Sequence, residues 1–74
     1  MLQTRWLRVP VREIAYVRAI YEAYDGLCIL SAPAADRGEL TLWVGPGQEA
    51  LADEVERRLA RDAGLQRIPP QPSR

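Results

Sequence analysis

The 74-residue chain contains no histidine, no lysine, no asparagine and no phenylalanine, and Cys28 is its single cysteine. Each absence removes a class of chemistry. Without histidine, no side chain has an ordinary pKa suited to proton transfer near neutral pH. Without lysine, no Schiff base can form. One cysteine and no histidine cannot make a zinc site, and a lone cysteine has no partner for an internal disulfide, which points to a reducing cytosol. Cys28 lies in an apolar stretch without a sequence-evident basic partner, so it is expected to be a buried structural residue. No catalytic, cofactor-binding or metal-ligating residue is nominated, and the expectation is a protein that is not an enzyme.

Long hydrophobic runs are also missing. No stretch of about 18 apolar residues is available for a membrane span, and Met1-Leu2-Gln3-Thr4-Arg5-Trp6 lacks the apolar core of a signal peptide. A cytoplasmic location follows as the expectation. There is no excess charge of either sign: ten basic residues face ten acidic ones. That removes the bulk electrostatic argument for nucleic acid or an anionic membrane. All ten basic residues are arginine, which fits a GC-rich genome; a thermophilic source is compatible but is the weaker reading, because the hyperthermophile signal is Lys and Glu enrichment.

What is present describes one small soluble domain. Nearly half of the residues are apolar and about a quarter are charged. A domain this small buries only about 60% of its unfolded surface, so association with a second copy would help it. Residues 1–68 are expected to form the domain, and the Pro-rich segment 69–74 to be disordered.

The chain can be organised around Gly26–Gly45, which has the pattern of a β-hairpin. Its first arm, Gly26 to Ala32, is nearly continuous in apolar residues and is expected to be covered on both faces. Its second arm alternates, with Leu40, Leu42 and Val44 on one face and Glu39, Thr41 and Trp43 on the other. Asp36-Arg37-Gly38 supplies the turn, with Gly38 suited to positive φ.

A helical pattern lies on each side of the hairpin. Before it, Gln3–Val9 forms a strand, and Pro10 stands at the start of a helix whose apolar stripe is Ile14, Val17, Tyr21 and Tyr24, with Ile20 alongside. Gly26 ends that helix and Leu27 can fold back on Tyr21. After it, Pro46-Gly47 open a helix with a stripe of Leu51, Val55 and Leu59, joined by Ala52 and Ala63. Acidic residues come early in this helix and basic ones late, and Asp53–Arg57 and Glu54–Arg58 are spaced as favourable pairs. Gly64 caps it, and Leu65–Ile68 is a final short strand. The order is βαββαβ, an α+β ferredoxin-like fold with a four-stranded antiparallel sheet and two helices on one face.

From Tyr16 to Gly64, about two-thirds of the chain resembles a family of short bacterial proteins, domain of unknown function 4911. The resemblance lies in the helix end Tyr21-Glu22-Ala23-Tyr24-Asp25-Gly26-Leu27, the strand Glu39–Val44, and Pro46 before an acidic helix. It implies no activity, since the family has none assigned. More distantly, the element order and Leu59…Gly64-Leu65…Ile68 are similar to ACT-type regulatory domains. That likeness implies pairing through the sheet and a small-metabolite ligand near the turn after the first strand. The turn usually contains glycine in that family; here it is Val9-Pro10-Val11.

The sheet face away from the helices is the informative feature. If Leu7, Val9, Leu40, Leu42 and Val44 face the helices, Trp6, Arg8, Thr41 and Trp43 face outward. If Leu27 packs on the first helix, Ile29 points inward with it and Cys28 and Leu30 point out. Trp6, Arg8, Cys28, Leu30, Thr41 and Trp43 are thus the candidate interface, and an apolar patch of this kind marks association, with a homodimer as the expected form. The alternative from another class is single-stranded RNA binding, with bases stacked on Trp6 and Trp43 and Arg5 and Arg8 nearby. Neutral charge and the lack of the basic, glycine-rich, multi-aromatic signature weigh against it.

Overall fold

The computed structural model describes residues 2–71. The first strand, β1, is Gln3–Arg8; a 3-10 turn at Val11–Glu13 leads into α1, Ile14–Glu22. Strand β2 is Cys28–Ala34, a second 3-10 turn spans Ala35–Arg37, and β3 is Glu39–Val44. Helix α2, Glu49–Ala63, and the short strand β4, Gln66–Arg67, complete the order. The strands form one antiparallel sheet in the order β2-β3-β1-β4, that of a ferredoxin-like sheet.

Both helices lie on one side of it. Val17 and Tyr21 of α1 and Ala52, Val55, Leu59 and Ala63 of α2 are buried in a single core with Leu7, Leu40, Leu42 and Val44 of the sheet. The helices form because their apolar residues recur at three- and four-residue spacing, and each buries only that stripe. Ile14, Ile20, Tyr24 and Leu51 pack against the core's margin. Helix α1 is shorter at its start than the sequence suggests: Pro10 sets up a 3-10 turn, closed by the Glu13 N–H donating to the Pro10 carbonyl at 2.8 Å, before α geometry begins.

Two glycines are required by the backbone. Gly38 ends the hairpin turn at φ 75° and is buried against β1, its carbonyl accepting the Val9 N–H at 2.8 Å. A Cβ at this position would stand 2.0 Å from the Val9 carbonyl oxygen, so only glycine fits. Gly64, also at φ 75°, caps α2, and the Leu65 N–H reaches back to the Leu59 carbonyl at 3.3 Å. That cap turns Leu65 into the core.

The hairpin departs from its expected form in two ways, and α2 in one. Strand β2 continues through Pro33 to Ala34, because a register shift between Ser31 and Ala34 inserts one extra residue opposite β3. A bulge on an edge strand is where proline is tolerated, since no ladder bond is asked of it. The first arm is also not covered on both faces, for Ile29 is 63% exposed. On α2, Arg58 pairs with Asp62, while Asp53 turns to Arg5 rather than Arg57. Among the described residues, no ion pair joins Asp53 to Arg57 or Glu54 to Arg58. Of the Pro-rich segment, Pro69–Gln71 carries no regular secondary structure and 72–74 lie outside the described residues.

Candidate functional site

Register decides which side chains share each face, because residues directly opposite in a ladder point the same way. Leu7 faces Leu40 and Arg5 faces Leu42 on the helix side. On the other side, Thr4 is opposite Trp43, Trp6 opposite Thr41 and Arg8 opposite Glu39. Strand β2 adds Ile29 opposite Trp43 and Ser31 opposite Thr41. The outer face therefore reads in rows across the sheet: Ile29–Trp43–Thr4, then Ser31–Thr41–Trp6, then Glu39–Arg8. Ile68 continues the middle row, its N–H donating to the Trp6 carbonyl at 2.9 Å.

Four of the expected interface residues, Trp6, Arg8, Thr41 and Trp43, are on this face. Cys28 and Leu30 are not. They lie opposite Val44 and Leu42 on the helix side and pack against the core. Ile29 and Ser31 occupy the outer positions instead. The cause is local. Leu27 belongs to the turn that ends α1, with its N–H directed to the Tyr24 carbonyl at 3.4 Å and its carbonyl accepting the Gly45 N–H at 3.0 Å. It is fully buried but precedes the strand. Alternation starts at Cys28, so two successive residues face inward and everything after them is shifted by one.

Trp6 and Trp43 are half-buried along their own sheet and flank a shallow groove of about 670 Å³, whose rim includes Pro33, Arg37 and Ile68. The charges on this face collect at one end. There the Glu39 carboxylate accepts from Arg8 at 3.1 Å and lies 3.7 Å from Arg37. A second, smaller depression of about 380 Å³ lies at the turn after β1, lined by Arg8, Val9, Pro10, Val11, Arg37, Gly64 and Gln66.

Arg5, expected near the outer tryptophans, is on the opposite side. It is 4% exposed and donates to Glu56 at 2.9 Å and to Gln3 at 2.7 Å, with Asp53 at 2.8 Å. Arg67 of β4 joins the same carboxylates, at 2.7 Å and 3.1 Å from the two Glu56 oxygens and 3.6 Å from Asp53. Its hydrogen bond to Glu56 raises the Arg67 guanidinium above its ordinary pKa. This network ties both β1 and the two-residue β4 to α2. Its signal in the sequence is parity: Arg5 has the same phase as Leu7 and Val9.

Two further polar groups lie on the helix side. The Tyr21 hydroxyl is buried with no hydrogen-bond partner among the described residues. Burial pushes it above its ordinary range, and the Glu56 carboxylate adds to that. Burial also raises the Cys28 thiol, which leaves little thiolate near neutral pH. Among the described residues, no three His, Cys, Asp or Glu side chains are grouped to hold a metal, and no helix is long and apolar enough to cross a membrane. What the outer face offers is contact area, indole edges and hydroxyls.

A family model described as domain of unknown function (DUF4911) matches residues 7–62. No curated protein and no solved structure matches.

Proposed function

This chain belongs to the DUF4911 family, whose description carries no activity, and we propose from the geometry that it is a non-enzymatic interaction module that self-associates through its β-sheet. The observation that supports this reading is the uncovered face. Both helices pack on one side of the sheet; the other side presents Trp6, Trp43 and Ile29, and among the described residues no helix or strand lies across it, only Gln71 of the C-terminal segment lining the same groove. Exposed apolar patches on small soluble domains mark interaction sites. A balanced formal charge means that two copies carry no net repulsion.

The test is the mass of the unmodified protein by light scattering from micromolar to millimolar concentration. The expected result is a rise towards twice the chain mass of 8.3 kDa. A monomer throughout that range would overturn the reading. The RNA alternative draws less support from the geometry, because Arg5 is held by carboxylates on the helix side and Arg8 is paired with Glu39.

A further inference from the structure

We infer that the partner copy packs sheet face against sheet face, about a two-fold axis, to give four layers in the order helix, sheet, sheet, helix. The inference rests on the self-association proposed above and selects one geometry from the two that a sheet allows. The other is pairing edge to edge, in which two strands extend one continuous sheet.

The edges of this sheet are poor templates. The β4 edge is two residues long, and it is followed by Pro69 and Pro70, which have no N–H to offer. The β2 edge is interrupted by the bulge between Ser31 and Ala34, with Pro33 inside it. Only Cys28–Ser31 is left as a regular run, shorter than an average strand. Bulges and edge prolines are the devices by which sheets discourage this mode of pairing.

The face is better suited in size and composition. The fold is a slab of 30 × 30 × 18 Å, as one sheet under one layer of helices must be. A disc 30 Å across projects about 700 Å², close to the roughly 800 Å² per partner that a standard stable interface buries. Its centre is formed by Trp43, Thr41 and Trp6, residues of the two interior strands, with Ile29 and Ile68 beside them. Aromatic anchors at the centre of a patch are where binding energy concentrates. Arg8, Arg37 and Glu39 lie at one end, where a rim remains in water and the carboxylate already has its partners.

Thr41 separates the two geometries. It points outward from β3, which has β1 on one side and β2 on the other, so it has no place in an edge pairing. The experiment compares the unmodified chain with Thr41→Arg by light scattering, with circular dichroism to confirm folding. The expected result is a dimer for the first and a folded monomer for the second. A parallel measurement on the unmodified chain needs no variant: acrylamide quenching of tryptophan fluorescence, dilute against concentrated. The quenching constant should fall by roughly twofold or more on association, since the core of an interface packs as an interior does. A dimer that survives Thr41→Arg and leaves both tryptophans as quenchable as before would overturn face packing and leave self-association standing, by the edges. If the unmodified chain stays a monomer at every concentration, the self-association reading itself fails and takes this inference with it.

Discussion

Leu42 and Ile29 sit one strand apart in the same sheet and face different surroundings. Leu42 points to the helices and is 1% exposed; Ile29 points away and is 63% exposed. Every side chain of the described sheet takes one of these two directions, yet the two faces are built by different rules. The helix side is a packed apolar layer in which, among the described residues, one charged side chain is fully buried, Arg5, and only with carboxylates around it. The outer side mixes tryptophan and isoleucine with threonine, serine and one ion-pair cluster. The first composition is what holds a single chain together. The second is more than one chain needs, since a solvated antiparallel face is well served by polar residues alone.

The sharpest test of this contrast compares one substitution on each face. Leu42→Ala should lose about 3 kcal/mol of stability, the transfer term plus the cavity left in a core that cannot fully collapse. Ile29→Thr keeps a β-branched side chain at an exposed position, so in dilute protein it should change stability by under about 0.5 kcal/mol. Urea unfolding monitored by circular dichroism measures both. Similar losses at the two positions would mean that the faces are not distinct in the way the register requires.

The next largest effect concerns the exception on the helix side. Arg5→Ala removes a buried guanidinium that contacts Glu56 and Asp53. Breaking a fully buried pair typically costs about 3–5 kcal/mol. Here Asp53 is 47% exposed and Arg67 still reaches both carboxylates, so the expected loss is smaller, about 2 kcal/mol. Arg5→Met supplies a similar stem without the charge and should recover much of it. Equal losses for Ala and Met would show that charge, not packing, is what Arg5 contributes.

These positions also show what can be read from the chain before folding. Strand β3 alternates strictly, so its inner and outer residues are legible one by one. Strand β2 has no such alternation. Cys28, Ile29 and Leu30 are all apolar, and a uniform run carries no phase. Leu27 offers a misleading phase, because its burial comes from the helix-ending turn and not from the strand. A one-residue shift in phase exchanges the faces of a whole strand, which is why Ile29 and not Cys28 faces outward. Arg5 was obscured differently. Its position matches the buried set of Leu7 and Val9, but an isolated arginine suggests solvent until its partners are known, and those partners, Asp53 and Glu56, are about fifty residues away in α2. The helices need no such distant information, because three- and four-residue spacing and the Gly64 cap of α2 are local signals; α1, expected to end at Gly26, already ends at Glu22 with Ala23 as its cap.

The smallest effect has the opposite sign and tests the helix side at its weakest point. Tyr21 is fully enclosed among core residues, yet its hydroxyl has no hydrogen-bond partner among the described residues. A buried donor left unsatisfied carries a desolvation cost of about 1–3 kcal/mol. Tyr21→Phe removes that cost and leaves a space of one oxygen atom, so a gain of up to about 1 kcal/mol is expected at neutral pH. The same substitution has a signature in alkali. In the unfolded chain the phenol ionises near its ordinary value of 10.0, whereas burial holds the folded form protonated above it. Above that pH the unfolded state has released a proton that the folded state keeps, so stability falls as pH rises. The contribution is present in full below the unfolded value and is lost progressively above it. Urea midpoints from neutral pH to beyond 10 should therefore decline for the unmodified chain and decline less for Tyr21→Phe. A loss at neutral pH together with an unchanged alkaline limb would mean that the hydroxyl is satisfied in solution, and that the helix side of the sheet accommodates polar groups more readily than its burial implies.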